Sequence, residues 1–174
     1  SIKDKNILIL GAGGAVRGIL PNIIKEKPKS IFIHNRSKNI AKAEAVVQDF
    51  TNFASDFDVD LSLFDRNNKT SKYDVLINAA TDKFIIDKNN CEICEQAVKM
   101  GAKFAYDLSY SKKSKDLKLG LTNFCKWAKD KDLKYSDGLG MLVYQAAKSF
   151  YIWNDIELGS DDLNIVMTNL RENS

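Results

Sequence analysis

Apolar and polar positions divide the chain into short apolar runs separated by amphipathic stretches. Asn6 to Leu10 is an apolar run of strand length. Val16, Ile19, Leu20, Ile23 and Ile24 follow at the spacing of a buried helix face. Lys27-Pro28-Lys29 breaks that pattern, and Ser30 to His34 predicts a second strand. Ser37 is a natural N-cap for the next helix, whose apolar face is Ile40, Ala43, Val47 and Phe50. Val59 to Phe64 predicts a third strand, with Val59, Leu61 and Leu63 on one face. Asp65 to Lys72 reads as a loop and Tyr73 to Asn78 as a fourth strand. Cys91 to Met100 predicts a helix, Lys103 to Asp107 a fifth strand, Thr122 to Lys129 a short helix and Lys134-Tyr135 a sixth strand. Leu139, Leu142, Val143, Ala146, Phe150 and Trp153 mark a long amphipathic helix. A last helix is expected from about Asp161 to Leu170, capped by Ser160. Strands alternating with helices predict an α/β fold, a doubly wound parallel sheet covered on both faces.

The first strand runs straight into Gly11-Ala12-Gly13-Gly14-Ala15, and the helix pattern starts at once. Strand, glycine turn and helix in that order open a dinucleotide-binding unit. Glycines permit the tight turn and let a pyrophosphate approach the main chain. The helix N-terminus then offers unpaired N–H groups and a positive dipole end. Val16 stands where the fingerprint usually has Gly or Ala, so it is the placement of the glycines that carries the reading.

Which nucleotide fits is decided at the end of the second strand. An NAD site wants Asp or Glu there for the ribose hydroxyls. This chain has Asn35-Arg36-Ser37, then Lys38, Asn39, Ile40 and Lys42, with no carboxylate before Glu44. A guanidinium bonds a 2′-phosphate in a bidentate way, and a hydroxyl at a helix start adds a donor. The expected cofactor is NADP. The small residues after Asp74-Val75-Leu76-Ile77, namely Asn78-Ala79-Ala80-Thr81, leave room for a ligand at the strand's carboxyl end.

Composition narrows the class further. The 174 residues suffice for one domain with a real core. Hydrophobic residues are 44% and charged residues 28%, and the net charge of +3 is scattered, which argues for neither nucleic acid nor an anionic membrane as partner. No apolar run has the length of a membrane span and no signal peptide is visible. Three cysteines at irregular positions make a disulfide framework unexpected, and the cytoplasm is the expected compartment. The chain starts at Ser1 almost on top of its first strand, which suggests a piece of something longer.

Taken with Tyr106-Asp107-Leu108-Ser109-Tyr110 and the long Asp137-Gly138-Leu139-Gly140-Met141-Leu142-Val143-Tyr144-Gln145-Ala146-Ala147, the glycine loop, the Asn35-Arg36-Ser37 turn and the Ile77-Asn78-Ala79 strand end carry a resemblance. The chain resembles the C-terminal, NADP-binding part of shikimate dehydrogenases over essentially its whole length. The resemblance implies reversible NADPH-dependent reduction of 3-dehydroshikimate to shikimate, an oxidoreductase step toward aromatic amino acids, with quinate an alternative substrate. It implies that Gly11 to Ala15, Asn35 to Ile40, Asn78 and Ala79 hold NADP. Leu108 and Gly138 would flank the nicotinamide, and Tyr110 and Gln145 would reach the substrate. Residues 1–137 would form a Rossmann-like domain. Residues 138–174 would return to an upstream substrate domain, where the family keeps its catalytic Lys and Asp. No catalytic residue is expected within this chain, and a homodimer is a further expectation. Two departures from the family stand out. Ile40 stands where a second Arg is frequent, leaving Lys38 or Lys42 to complete the phosphate clamp. The Lys-rich Ser111 to Lys115 replaces the family's Pro and Thr.

Other readings are weaker. Tyr144 and Lys148 spell the Tyr-x-x-x-Lys of short-chain NADP oxidoreductases, but Lys131 and Asp132 lie where those enzymes place a Ser. A non-catalytic NADP-binding module is the other alternative. Cys91 and Cys94 form C-x-x-C inside a helix pattern, with only Cys125 and His34 as further soft ligands, so no metal site is expected.

Overall fold

A computed structural model describes residues 1–36, 39–67, 72–80, 88–111 and 120–172. Twelve elements follow in chain order: β1 (Asn6–Leu10), α1 (Gly14–Lys25), β2 (Ser30–His34), α2 (Ile40–Ser55), β3 (Asp60–Leu63), β4 (Val75–Asn78), α3 (Lys88–Lys99), β5 (Phe104–Asp107), α4 (Asn123–Asp130), β6 (Lys134–Ser136), α5 (Leu139–Asn154) and α6 (Ser160–Glu172). The strands form one six-stranded sheet in the order β3-β2-β1-β4-β5-β6. Every pairing is parallel. This is the doubly wound α/β arrangement that the alternation of strands and helices predicts.

Alternate residues of the central strands feed two separate cores. Ile7, Ile9, Ile31, Ile33, Val75 and Ile77 pack on Val16, Leu20 and Ile24 of α1 and Ala43 and Val46 of α2. Leu8, Leu10, Leu76 and Ala105 pack on Ile93, Cys94 and Ala97 of α3 and Phe124, Trp127 and Ala128 of α4. With both faces covered, the central strands read as continuous apolar runs rather than as alternation. At the opposite end of the sheet from the glycines, the Asn6 N–H donates to Asp74 Oδ2 at 2.9 Å and the Ser30 hydroxyl to Asn6 Oδ1 at 2.7 Å. These bonds fix the start of β1 against both its neighbours.

Two local expectations are corrected, at the start of α2 and at Ile40. Asn39, not Ser37, is the N-cap of α2, and it makes no side-chain capping bond; Ser37 itself lies outside the described residues. Ile40 is exposed rather than part of the buried face, which is Ala43, Val46 and Ala54. On α5 only Leu139 and Val143 are buried, so most of its apolar arc faces outward.

Proline sits at position 21, inside α1. Its ring nitrogen has no hydrogen to give to the Arg17 carbonyl one turn earlier. Pro21→Ala is expected to stabilise the fold by about 2 kcal/mol, the interior penalty of proline less the entropy its ring removes from the unfolded chain. Urea unfolding would show this as a raised midpoint at unchanged slope. A lowered midpoint would show that the ring's packing outweighs the missing bond.

Candidate functional site

In a doubly wound sheet, ligands bind beyond the carboxyl ends of the strands where the winding reverses. Here that point lies between β1 and β4, paired from Ile7 with Val75 to Leu10 with Asn78. Gly11 leaves β1 with φ of +117° and its N–H donates to the His34 carbonyl at 2.7 Å. A Cβ on Gly11 would lie 3.1 Å from the Ala79 carbonyl carbon and oxygen. The chain therefore turns here only because residue 11 is glycine.

Gly13 and Gly14 differ. A Cβ on either would meet nothing within 4 Å. Gly13 caps α1 with φ of −91°, a conformation any residue adopts, and offers no side-chain cap to the first-turn N–H groups. Nothing in the protein itself requires glycine at these two positions. They open a crevice of about 410 Å³ lined by Ala12, Gly13, Gly14, Arg17, Ala41, Lys42 and Ala45. Neither α1 nor α2 has an acidic residue in its first turn. Two positive helix ends, two cations and bare main chain make this crevice suited to an anion that approaches the backbone closely. NADP, with its pyrophosphate and 2′-phosphate, fits such a donor set.

The residues read as cofactor ligands gather round this crevice only in part. Asn35 closes the turn after β2: its Nδ2 donates to the Asn39 carbonyl at 2.9 Å and its Oδ1 accepts from the Arg36 N–H at 3.0 Å. The Asn39 N–H in turn donates to the Arg36 carbonyl at 2.7 Å. Arg36 and Ile40 are exposed at this turn, and Lys38, like Ser37, lies outside the described residues. Ala15 and Leu108 open onto a second cavity, described below, and not onto the 410 Å³ crevice.

The other half of the site is built by side-chain locks at the ends of β4 and β5. Asn78 Nδ2 donates to Asp107 Oδ1 at 3.0 Å, and Asn78 Oδ1 accepts from the Ala80 N–H at 3.1 Å. Asp107 Oδ1 also accepts from the Ser109 N–H at 3.1 Å, and the Leu108 N–H donates to the Asn78 carbonyl at 2.8 Å. Asn78 and Asp107 are both buried, so these bonds are the reason the two strand ends keep one geometry. Ala79 and Leu108 are thereby set on either side of the winding reversal.

Gly138 packs on the same turn. Its N–H donates to the Ser109 carbonyl at 3.0 Å, and a Cβ there would sit 2.1 Å from the Leu108 carbonyl oxygen. Asp137 holds the junction: its Oδ1 accepts from the Leu139 N–H at 3.2 Å and from Arg171 of α6 at 2.9 Å. Tyr110 follows two residues beyond Leu108 and is half-buried. Gln145 lies on α5. It lines a groove of about 670 Å³ between α1 and α5, with Ala15, Ile19, Ile23, Ile77, Tyr106, Leu108 and Met141. Burial, with Asp137 and Asp107 nearby, raises the Tyr106 phenol above its ordinary value.

Several residues of this site had no separate place in the sequence reading. Arg17, Tyr106 and Met141 line its cavities. Arg17 had one available signal, a cation in a helix's first turn, where the dipole disfavours it. The rival readings find no such geometry. Tyr144 is exposed, and the Lys148 ammonium lies 4.5 Å over the Tyr151 ring. Burial raises the thiols of Cys91 and Cys94, the reverse of what a redox-active thiolate needs. Among the described residues, no three His, Cys, Asp or Glu side chains gather as a metal site would require.

Fold and crevice together define a Rossmann-like domain suited to a dinucleotide. Two family models match: shikimate / quinate 5-dehydrogenase over residues 1–115 and the shikimate 5′-dehydrogenase C-terminal domain over residues 138–158. The chain belongs to the shikimate/quinate dehydrogenase family. It is 36% identical over 172 residues to an NADP(+) shikimate dehydrogenase of Laribacter hongkongensis, covering 98% of this chain and 56% of that protein. To the Legionella pneumophila (strain Lens) enzyme of the same name it is 34% identical over 155 residues, covering 89% of this chain and 51% of that protein. The chain thus spans about half the length of the curated relatives it matches. A shikimate dehydrogenase solved in complex with NADP+ superposes with a TM-score of 0.65 at 29% identity, covering 98% of this chain and 56% of the other.

The two kinds of glycine should separate by mutation. Gly138→Ala is expected to lower stability by about 3 kcal/mol, the range of an overpacked contact against backbone. Gly13→Ala should lower the unfolding free energy by no more than about 1 kcal/mol, the difference between Gly and Ala at an N-cap, while weakening dinucleotide binding. A large loss of stability in Gly13→Ala would show that this glycine serves the fold.

Proposed function

We propose that this chain is the NADP-binding half of an NADP-dependent shikimate dehydrogenase, which interconverts 3-dehydroshikimate and shikimate. The observation that carries the reading is the crevice over Gly13 and Gly14, walled by cations with no carboxylate in its lining or at the end of β2. A 2′-phosphate is attracted there and an NAD-specific acidic contact is missing. The names of the relatives and the NADP+ complex of the structural neighbour support the same cofactor.

On this reading the first-turn N–H groups of α1 hold the pyrophosphate and Arg36 pairs with the 2′-phosphate. Leu108 and Gly138 would flank the nicotinamide beside the turn fixed by Asn78 and Asp107. The bound cofactor supplies a hydride to the substrate carbonyl. Gln145 and Tyr110 would bond substrate hydroxyls from the groove side. The alcohol proton is handled, as the resemblance implies, by a Lys and an Asp of the family's other half.

Residues 138–174 are assigned to the junction with that half. Support comes from the apolar groove between α1 and α5 and from Phe150, Ile152, Trp153, Ile156 and Ile165, all exposed on or between α5 and α6. Large apolar side chains exposed in this number on one part of the chain point to an interaction surface. A second copy of the chain is a further candidate partner. No helix among the described residues is long and apolar enough to cross a membrane; the cytoplasm is the proposed compartment.

Calorimetric titration should show NADP binding tighter than NAD by about tenfold or more, the worth of a charge-assisted pair. Arg36→Ala should remove most of that preference. Equal affinities in the wild type would overturn the cofactor assignment. NADPH formation with shikimate should stay at background for these 174 residues alone and rise when the family's Lys- and Asp-bearing half is joined to them. Turnover by the isolated chain would place the acid/base group here, with Tyr144 and Lys148 tested first.

A further inference from the structure

The last helix meets the Gly138 turn on both sides. Among the described side chains of α6, Leu163 alone is buried, so little apolar burial holds this helix. Two further contacts direct its far half at one turn. Arg171 Nη2 donates to Asp137 Oδ1 at 2.9 Å, and a Cβ on Gly140 would lie 3.8 Å from the Met167 sulfur. Positions 137 and 140 flank Gly138, the glycine seated against the Leu108 carbonyl. The ion pair is unequal: the Asp137 side chain is 5% exposed and that of Arg171 48%. A buried carboxylate needs an opposite charge and hydrogen-bond donors. Asp137 has the Arg171 guanidinium and the Leu139 N–H, at 3.2 Å. Burial first, then the carboxylates of Asp137 and Asp107, raise the Tyr106 phenol, so the two acids share one neighbourhood. Like charges there repel, and Arg171 supplies the opposite charge that keeps the Asp137 carboxylate seated under the turn.

We propose that Arg171 is a positioning residue for the nicotinamide end of the cofactor, acting through Asp137 on the turn at Gly138. The inference rests on the NADP reading above, in which Leu108 and Gly138 flank the nicotinamide, and deepens it. The contacts that connect them are few. Arg171 bonds Asp137 Oδ1, and the same oxygen accepts from the Leu139 N–H, so the residues on either side of Gly138 are held together. The Gly138 N–H donates to the Ser109 carbonyl at 3.0 Å, one residue past Leu108. With the guanidinium removed, the Asp137 carboxylate keeps one donor and loses its opposite charge, and water solvates it best if the turn moves outward. Neither Arg171 nor Asp137 lines the 410 Å³ crevice over Gly13 and Gly14. The pair therefore acts on one end of the cofactor and leaves the phosphate end alone.

The test compares NADP with adenosine 2′,5′-bisphosphate, which keeps the 2′-phosphate and lacks the nicotinamide. Each is titrated calorimetrically into the whole chain. Arg171→Ala is expected to weaken NADP about fivefold, part of the worth of one charge-assisted hydrogen bond. The bisphosphate should stay within about twofold, since the main-chain donors of α1 are untouched. Asp137→Asn keeps an acceptor for the Leu139 N–H and should reproduce the split. The double variant should lose no more than either single one, as for two ends of one pair. Arg171→Gln serves if the alanine variant melts below the assay temperature. Equal losses for both ligands would make Arg171 a support of the fold as a whole and overturn the proposal. Unchanged affinities, a wild type that binds the two ligands equally, or additive losses in the double variant would overturn it too. In each of these cases a wild type that prefers NADP to NAD leaves the cofactor reading standing. A wild type that binds neither dinucleotide removes both.

Discussion

The parallel pairing of β1 with β4 is the constraint on which the rest depends. It is the point where winding switches from one side of β1 to the other, so the loops after β1 and β4 part and leave a crevice. The same pairing brings the main chain of Ala79 against residue 11, and only glycine fits there. With Gly11 turned sharply, α1 starts immediately and its unpaired N–H groups face the gap. The switch, the glycine and the helix end are one device. Asn78 and Asp107 then fix the neighbouring strand ends by buried hydrogen bonds, which in turn set Leu108 where Gly138 packs.

Glycine has two meanings in this chain. At Gly11 and Gly138 the protein's own backbone fills the space a side chain would need. At Gly13 and Gly14 no protein atom does. The first pair serves closure of the fold, and the second leaves open space over the start of α1. A motif match treats all glycines alike; the contact distances separate them.

Much of this was readable beforehand because its causes are local. The runs from Asn6 to Leu10 and Ser30 to His34 are long, apolar and bounded by glycine or proline, and they emerge as β1 and β2 at those limits. The missing carboxylate after β2 was likewise visible by position. Other features depend on tertiary context. Ser37 has the better capping chemistry, but the turn closed by Asn35 and Asn39 starts the helix later. Ile40 belongs to the helical repeat and still faces outward, because the helix sits over β2 and β3 on Ala43 and Val46. Pro21 argues against a continuous helix, yet Leu20 and Ile24 bury completely on either side of it and the packing carries the helix through.

Apolar surface at the C-terminal end follows from the same geometry. α5 leaves the Gly138 turn held by only two buried side chains, Leu139 and Val143, and α6 packs on it with Leu163 inward. Arg171 reaches back to Asp137, so the far end of α6 is tied to the turn that supports Leu108. The outer face carries Trp153 at 80% exposure and Ile152 at 68%, far more apolar area than a solvated helix pair needs. Through Arg171 and Asp137 that face is tied to the turn at Gly138, which packs on Leu108 beside the groove between α1 and α5.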